Sequence, residues 1–221
     1  MYAMIFTRPD IAFILGKLSQ FMSDPAIHHG HAIKSLLRYL NSTIKTRIRY
    51  GPGGEHSNAV LYSDADWASD KIDRKSISGS VTMFYGGPTS WSSKKQRSVA
   101  TSSCESEYMA LAACAKQGQW FAQVLKDLGY AKFIGRNHDL VQMFGDNQGA
   151  IALTKNAHLN ERSKHIDIAY HFVRDLAERG SLRVDYVPTS DMVADGMTKP
   201  LDRVAFGRFK GQMGLVEEIG R

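Results

Sequence analysis

Four acidic residues stand where the surrounding pattern favours apolar side chains: Asp64, Glu107, Asp146 and Asp195. Asp64 ends an apolar run, and Asp66 would share its face of a strand. Asp146 directly follows a second apolar run, and Asp195 stands in a helical turn after the last predicted strand. Each acid taken alone is explained as a turn former or a helix cap. The four together predict a site, provided that the fold brings them to one place.

Unlike the three aspartates, Glu107 belongs to a long predicted helix. Ser102 followed three residues later by Glu105 is typical of a capping box, which predicts the helix start and explains Glu105. Glu107 lies one turn into that helix, beside its apolar stripe, where helix capping requires no acid. We therefore group Glu107 with the three aspartates.

Four converging carboxylates predict a metal site, because they cannot all stay ionised without a compensating cation. Their oxygen ligands, with no Cys or His among them, favour Mg²⁺ or Mn²⁺. Two such ions about 3.5–4 Å apart form the arrangement that cleaves phosphodiesters by in-line attack. The residues themselves thus indicate metal-dependent phosphodiester hydrolysis.

The elements that must position these acids follow from hydrophobic period and turn residues. They are helices over 10–22 and 29–41, strands over 59–64, 79–85 and 89–92, a helix over 102–128, a strand over 140–144, helices over 148–155 and 162–178, a strand over 181–187, and a helical region after Ser190. This order predicts an α/β fold in which a three-stranded meander is followed by parallel strands. The ends of the first and fourth strands then become neighbours, as a shared site requires.

The amino-acid composition excludes some classes of protein but does not identify a function. The 221 residues are 43% hydrophobic and 23% charged, which excludes a disordered, collagen-like or coiled-coil chain. The net charge of +6 suits a polyanionic partner. Cys104 and Cys114 lie too far apart on one predicted helix for a disulfide, so a reducing compartment is expected. No signal peptide or membrane-spanning run is recognisable, which predicts a soluble intracellular protein, in the cytoplasm or the nucleus.

Six runs resemble, in residues and in order, the ribonuclease H domain of copia-type LTR retrotransposon polyproteins. They are YSDADWA at 62–68, DRKSISG at 73–79, SSCESEYMA at 102–110, DNQGA at 146–150, KHID at 164–167 and ADGMTKPL at 194–201. Two further runs, TRPDI at 7–11 and LLRYL at 36–40, resemble the tail of the reverse transcriptase region that precedes this domain.

This resemblance implies a fold, an activity and a cofactor. The fold is a ribonuclease H-like mixed five-stranded sheet with helices on both faces, over 55–200, with a helical remnant of the reverse transcriptase at 1–50 and a helical tail at 201–221. The activity is two-metal hydrolysis of the RNA strand of RNA/DNA hybrids, which leaves 5′-phosphate ends. The cofactor is two Mg²⁺ (or Mn²⁺) ions, held by the catalytic acids Asp64, Glu107, Asp146 and Asp195.

Three features bear on the resemblance. Integrases and many transposases share the fold but place their Glu after the second Asp, whereas Glu107 precedes Asp146, so an integrase is disfavoured. Many ribonucleases H carry a mobile His before the last Asp, and residues 187–194 contain none. The polymerase palm is also missing from this chain, which is therefore expected not to synthesise DNA.

The predicted partner is an RNA/DNA hybrid, with the reverse transcriptase polymerase region as a second candidate. We expect Lys94, Lys95 and Arg97 to grip the hybrid. The helix start at Thr101, Ser102 and Ser103 would assist them, because free backbone N–H groups bind phosphate there. A solvated basic loop is the alternative. The resemblance adds Arg162 and Lys164 as a basic substrate handle.

A second function remains open beside the enzyme. The chain would then be a catalytically silent nucleic-acid-binding or structural relic of a retroelement. The presence of all four acids favours the enzyme, because a decaying relic would be expected to lose them.

Overall fold

A computed structural model describes residues 1–51, 58–135, 140–155 and 164–217. The helices are α1 (Tyr2–Phe6), α2 (Ala12–Ser19), α3 (Ile27–Ser42), α4 (Ser103–Asp127), α5 (Gln148–Lys155), α6 (Lys164–Glu178), α7 (Asp195–Thr198) and α8 (Arg203–Gln212). The strands are β1 (Thr46–Ile48), β2 (Val60–Asp66), β3 (Ile77–Phe84), β4 (Gly87–Lys95), β5 (Val141–Gly145), β6 (Leu182–Tyr186) and β7 (Leu215–Glu217). Of the helices in these described ranges, none has the length and apolarity needed to cross a bilayer.

The main sheet has five strands in the order β4-β3-β2-β5-β6. Strands β2, β3 and β4 form an antiparallel meander. Strand β5 then pairs parallel to β2, and β6 pairs parallel to β5. Parallel pairing requires crossover connections, and α4 and α6 provide them. The predicted ribonuclease H-like mixed sheet is therefore confirmed.

Buried apolar residues form one cluster on each face of this sheet, because successive strand residues point to opposite sides. Leu61 packs with Leu111 of α4 on one face. Its neighbour Tyr62 packs with Met197 of α7 and Phe209 of α8 on the other. Helices thus cover both faces, and the carboxyl ends of β2 and β5 are left at one edge between the two layers.

Strand β2 continues to Asp66, two residues beyond its predicted end at Asp64. The apolar run ends at Tyr62, but the strand continues through Asp64 and Asp66, which pair with Gly79 and Ile77 of β3. Hydrogen bonding to the neighbouring strand extends the element beyond its apolar residues. The predicted position of Asp64 on this strand is therefore confirmed, and backbone pairing with β3 holds it there.

The amino-terminal helices are joined by a buried polar network. Arg8 donates two hydrogen bonds to Asp10, with Nε–Oδ1 2.9 Å and Nη2–Oδ2 2.8 Å, and a third from Nη1 to the carbonyl of Thr43 at 3.1 Å. The hydroxyl of Tyr39 on α3 donates to the same Asp10 carboxylate. The run 7–11 therefore ties the start of α2 to α3.

The predicted helical segments 1–50 and 201–221 each contain a short strand. Strand β1 pairs antiparallel with β7, so that Thr46 lies opposite Glu217 and Ile48 opposite Leu215. Three residues are too few to show an alternating pattern, and only the meeting of two distant segments creates the pairing. The division into 1–50, 55–200 and 201–221 stays a prediction, and β1–β7 pairing links its first and third parts.

Candidate metal centre

Asp64 lies almost fully buried at the carboxyl end of the central strand β2. The hydroxyl of Thr198 donates a hydrogen bond to its Oδ2. This contact depends on Gly79, the residue opposite Asp64 on β3. A Cβ at Gly79 would lie 2.7 Å from Thr198 Cγ2 and 2.8 Å from Met197 Cβ, so glycine permits α7 to approach the strand. The absence of one side chain on β3 therefore allows Thr198 to reach Asp64.

Glu107 reaches the same edge from the first turns of α4. Ser102 caps this helix by accepting a hydrogen bond from the backbone N–H of Glu105 at 3.2 Å. The carboxylate of Glu105 accepts one from the N–H of Thr101 at 2.9 Å, so the predicted cap is confirmed with Thr101 as the reciprocal donor. Glu107 itself is buried and accepts a hydrogen bond from the backbone of Ala65 on β2. Its carboxylate is thereby turned toward the end of that strand.

Asp146 comes beside Asp64 through the parallel pairing of β2 and β5. Tyr62 lies opposite Phe144, so Asp64 and Asp146, which each follow by two positions, lie side by side. The hydroxyl of Thr189 donates to Asp146 Oδ2 at 2.8 Å. One carboxylate oxygen from each of Asp64, Glu107 and Asp146 lies within 4.8 Å of the other two. These three residues, named the acid cluster below, have a geometry that can hold a metal ion.

The electrostatics of the acid cluster favour the uptake of positive charge. Burial raises the pKa of Asp64 to about 7, against smaller lowering effects of the Thr198 hydrogen bond and the Lys199 charge. Burial, followed by the charges of Asp64 and Asp146, raises the pKa of Glu107 to about 9. Desolvation and mutual repulsion both penalise the ionised forms, so a proton or a metal cation is needed to relieve them.

Asp195, the fourth predicted acid, lies next to the acid cluster but outside its compact group. It begins α7, and its Oδ1 lies 2.9 Å from the Nζ of Lys199. Its carboxyl group also interacts with that of Asp64. Burial raises the pKa of Asp195, and the hydrogen bond from Lys199 opposes this. The structure therefore brings three of the four acids together, and the role of Asp195 as a metal ligand stays a prediction.

Three residues around the site have no role predicted from the sequence: Thr189, Thr198 and Lys199. Thr198 and Lys199 follow Asp195 by three and four residues, the spacing at which helical side chains share a face. That spacing was a usable signal for the contact between Lys199 and Asp195. The contacts of Thr198 with Asp64 and of Thr189 with Asp146 join distant parts of the chain, and no local pattern indicates them.

The basic residues predicted to grip a hybrid differ in their availability. Register places Lys94 opposite Ser78, which itself pairs with Ala65, so Lys94 lies at the same sheet edge as Asp64. Lys94 and Arg97 are exposed. Lys95 instead forms salt bridges with Asp70 at 2.9 Å and Asp73 at 3.0 Å. Its charge is therefore already paired within the protein.

The polar residues at the start of α4 are also partly engaged. The hydroxyls of Thr101 and Ser102 both take part in the helix cap, whereas Ser103 is exposed. Arg162 and the side chain of Lys164 lie outside the described residues. The substrate-binding role of these residues stays a prediction.

Comparison with curated proteins supplies the family. The chain is 42% identical over 212 residues to the retrovirus-related Pol polyprotein from transposon RE2 of Arabidopsis thaliana. The matched residues make up 96% of this chain and 14% of that polyprotein. It is 38% identical over 217 residues to the Pol polyprotein from transposon TNT 1-94 of Nicotiana tabacum, over 97% of this chain and 16% of that one. This chain belongs to the copia-type retrotransposon Pol polyproteins. It spans about a seventh of the length of these Pol relatives. No protein-family model matches it.

Solved structures similar to this Pol region include two ribonucleases H1. The enzyme of the archaeon Halobacterium salinarum superposes with a TM-score of 0.43 at 17% identity, over 64% of this chain and 94% of that one. LC11-RNase H1, solved in complex with an RNA/DNA hybrid, superposes with a TM-score of 0.44 at 14% identity, again over 64% of this chain and 94% of that one. The fold of the Pol region is defined by its own strand order and connections.

Proposed function

We propose that this region of a copia-type Pol polyprotein is a metal-dependent ribonuclease H, which hydrolyses the RNA strand of RNA/DNA hybrids during reverse transcription and leaves 5′-phosphate ends. The observation that supports the proposal is the acid cluster: three carboxylates from β2, α4 and the end of β5 within 4.8 Å of one another. Separate elements contribute one acid each, so no single helix or turn explains the arrangement. The proposal concerns this region alone.

The donor set fits a hard divalent cation. All ligand atoms are carboxylate oxygens, which Mg²⁺ and Mn²⁺ prefer. Burial and mutual repulsion raise the pKa values of Asp64 and Glu107, so a cation that neutralises the cluster is favoured. Asp64, Glu107 and Asp146, with Asp195 beside them, would hold two such ions. When bound, they supply Lewis-acid polarisation of the scissile phosphate and neutralise its developing charge.

The chain's own residues would position the reaction. Thr198 fixes one oxygen of Asp64, and the backbone of Ala65 fixes Glu107. Their hydrogen bonds keep the other carboxylate oxygens aimed at one point, which lowers the reorganisation that a reaction requires. The exposed Lys94 and Arg97 at the same edge would contact phosphates of the hybrid, with Lys95 held back by Asp70 and Asp73.

Hybrid cleavage with Mg²⁺ tests this function. Asp64→Asn and Asp146→Asn each remove one charge from the cluster at nearly constant volume, and we expect each to lower the cleavage rate by about 100-fold or more. Asp185→Asn is the matched control, because Asp185 also lies on a strand of the sheet but pairs with Arg183 at 2.7 Å, outside the cluster. It should cleave as the unaltered chain does.

Two results would decide against the enzyme. One is the absence of hybrid cleavage by the folded unaltered chain, which would favour the silent relic. The other is undiminished cleavage by the two cluster variants. Melting temperature with and without Mn²⁺ adds a readout that does not depend on activity, because a bound ion stabilises the folded chain.

A further inference from the structure

The acid cluster has a cation of its own at its border. The Nζ of Lys199 lies 2.9 Å from Asp195 Oδ1. The negative charges of Asp64 and Asp146 also act on this ammonium. An internal ammonium therefore stands beside three acids that are proposed to bind metal, and any role for it in metal binding rests on that proposed function.

The position of Lys199 is set by the short helix α7. Its backbone N–H donates to the carbonyl of Asp195 at 3.2 Å, which closes the single turn of the helix. The preceding residue, Thr198, is fully buried and bonded to Asp64. The backbone on which Lys199 stands is therefore anchored to the cluster, and only its side chain is free to change direction.

The side chain of Lys199 is more open to solvent than that of Asp195. About a third of the Lys199 side chain is exposed (35%), compared with 15% of that of Asp195. A four-carbon stem allows the ammonium to turn outward while its backbone stays in place. The pair can therefore open through movement of the lysine side chain alone.

We propose that Lys199 is a tethered competitor for the second metal ion, which holds the carboxylate of Asp195 until that ion displaces its ammonium. A first divalent cation has the three carboxylates of the acid cluster available while Lys199 remains paired. A cation that uses Asp195 must take its carboxylate from the ammonium. Lys199 thus weakens the binding of the second ion, so that filling both positions requires a higher metal concentration than filling one.

Titration with Mn²⁺ alone, without nucleic acid, tests this role. Calorimetry and the electron paramagnetic resonance of free Mn²⁺ together give the number and affinity of bound ions. In Lys199→Met we expect the second ion to bind about tenfold more tightly, because Asp195 is no longer occupied. The affinity of the first ion should change by less than about twofold. Lys199→Arg keeps the cation and should bind the second ion as weakly as the unaltered chain.

A control separates competition from net charge. Lys34→Met removes one positive charge from the exposed surface of α3 and should leave both affinities unchanged. Equal tightening of both ions in Lys199→Met would indicate simple charge removal and overturn the proposal. No tightening, or tightening in Lys199→Arg as well, would also overturn it.

The result also distinguishes this inference from the proposed function. If the folded unaltered chain binds no Mn²⁺, the metal site fails and the inference fails with it. If the chain binds Mn²⁺ and cleaves hybrid, but Lys199→Met binds both ions as the unaltered chain does, only the role of Lys199 is refuted.

Discussion

Two regions of the molecule bury acidic side chains, and they treat the negative charge in opposite ways. Near the amino terminus, the side chain of Asp10 is completely buried and accepts a bidentate pair of hydrogen bonds from Arg8. At the sheet edge, Asp64 and Glu107 are buried together with Asp146 nearby, and no arginine forms such a pair with them within the described chain.

This contrast separates an acid whose charge the chain itself neutralises from acids whose charges it leaves without such a partner. The charge of Asp10 is neutralised by the chain itself, so its network joins α2 to α3 and needs nothing from outside. The acid cluster has raised pKa values because burial and repulsion are left largely uncompensated. Uncompensated charge costs stability, and it favours the binding of a cation.

The largest expected effect comes from breaking the compensated region. Arg8→Met leaves the Asp10 carboxylate buried without its guanidinium, so we expect the free energy of unfolding to fall by about 3–5 kcal/mol. Urea denaturation measures it. Arg179→Met is the matched control, because Arg179 pairs with Asp175 at 2.8 Å on the exposed surface, where a pair contributes about 0–1 kcal/mol. Equal losses in both variants would show that the buried network has no special role.

A second, smaller effect is a dependence of stability on pH that belongs to the acid cluster. The folded protein holds protons on Asp64 and Glu107 more tightly than the unfolded chain does, because the unfolded chain has the ordinary pKa values of these carboxyl groups, 3.8 and 4.5. The stability that these protons give is complete below about pH 4 and is lost as pH rises through about 7 and about 9. Without metal, we expect the free energy of unfolding to fall by on the order of 2–4 kcal/mol between about pH 5 and pH 9. The two full pKa shifts do not add, because the charge of Asp64 accounts for part of the shift of Glu107.

Two comparisons assign this fall to the cluster. Glu107→Gln should show a shallower fall, because one of the two titrating groups is gone. Mg²⁺ added at the upper end of the range should restore part of the stability of the unaltered chain. A curve that is equally steep in Glu107→Gln would place the titrating groups elsewhere in the molecule.

The smallest expected effect tests how the cluster is positioned. In Gly79→Ala the new Cβ would meet Thr198 and Met197 at less than 3 Å and push α7 from β3. We expect a loss of about 1–3 kcal/mol in the free energy of unfolding. The hydrogen bond from Thr198 to Asp64 should weaken at the same time, and with it Mn²⁺ binding.

Gly207→Ala on α8 is the control for this last prediction. A Cβ at Gly207 would have no atom within 4 Å, so alanine should stabilise the helix slightly, by about 0.5–1 kcal/mol. Thermal unfolding of both variants measures the two changes in stability. If Gly79→Ala matched Gly207→Ala in stability and Mn²⁺ affinity, close approach of α7 would not be needed.

Much of the fold could be predicted because its signals are local. Helix α4 begins beside its Ser102 cap and keeps one apolar face, and the strands and helices after the meander occur in the predicted order. Strand β2 was predicted to end at Asp64 and ends at Asp66, because pairing with β3 continues past the apolar residues. The β1–β7 pairing was missed because each strand has only three residues and its partner lies at the other end of the chain.

The residues proposed to carry the chemistry can be named from the amino-acid order alone: acids at the ends of apolar strands and one turn into a capped helix, in an order that resembles a ribonuclease H. Which of these acids bring their oxygens within 4.8 Å of one another, and which one is held by a lysine, became known only from the folded chain. The reason is physical. Whether a buried charge is compensated depends on neighbours that are distant along the chain, and backbone pairing and helix packing alone determine how close they come.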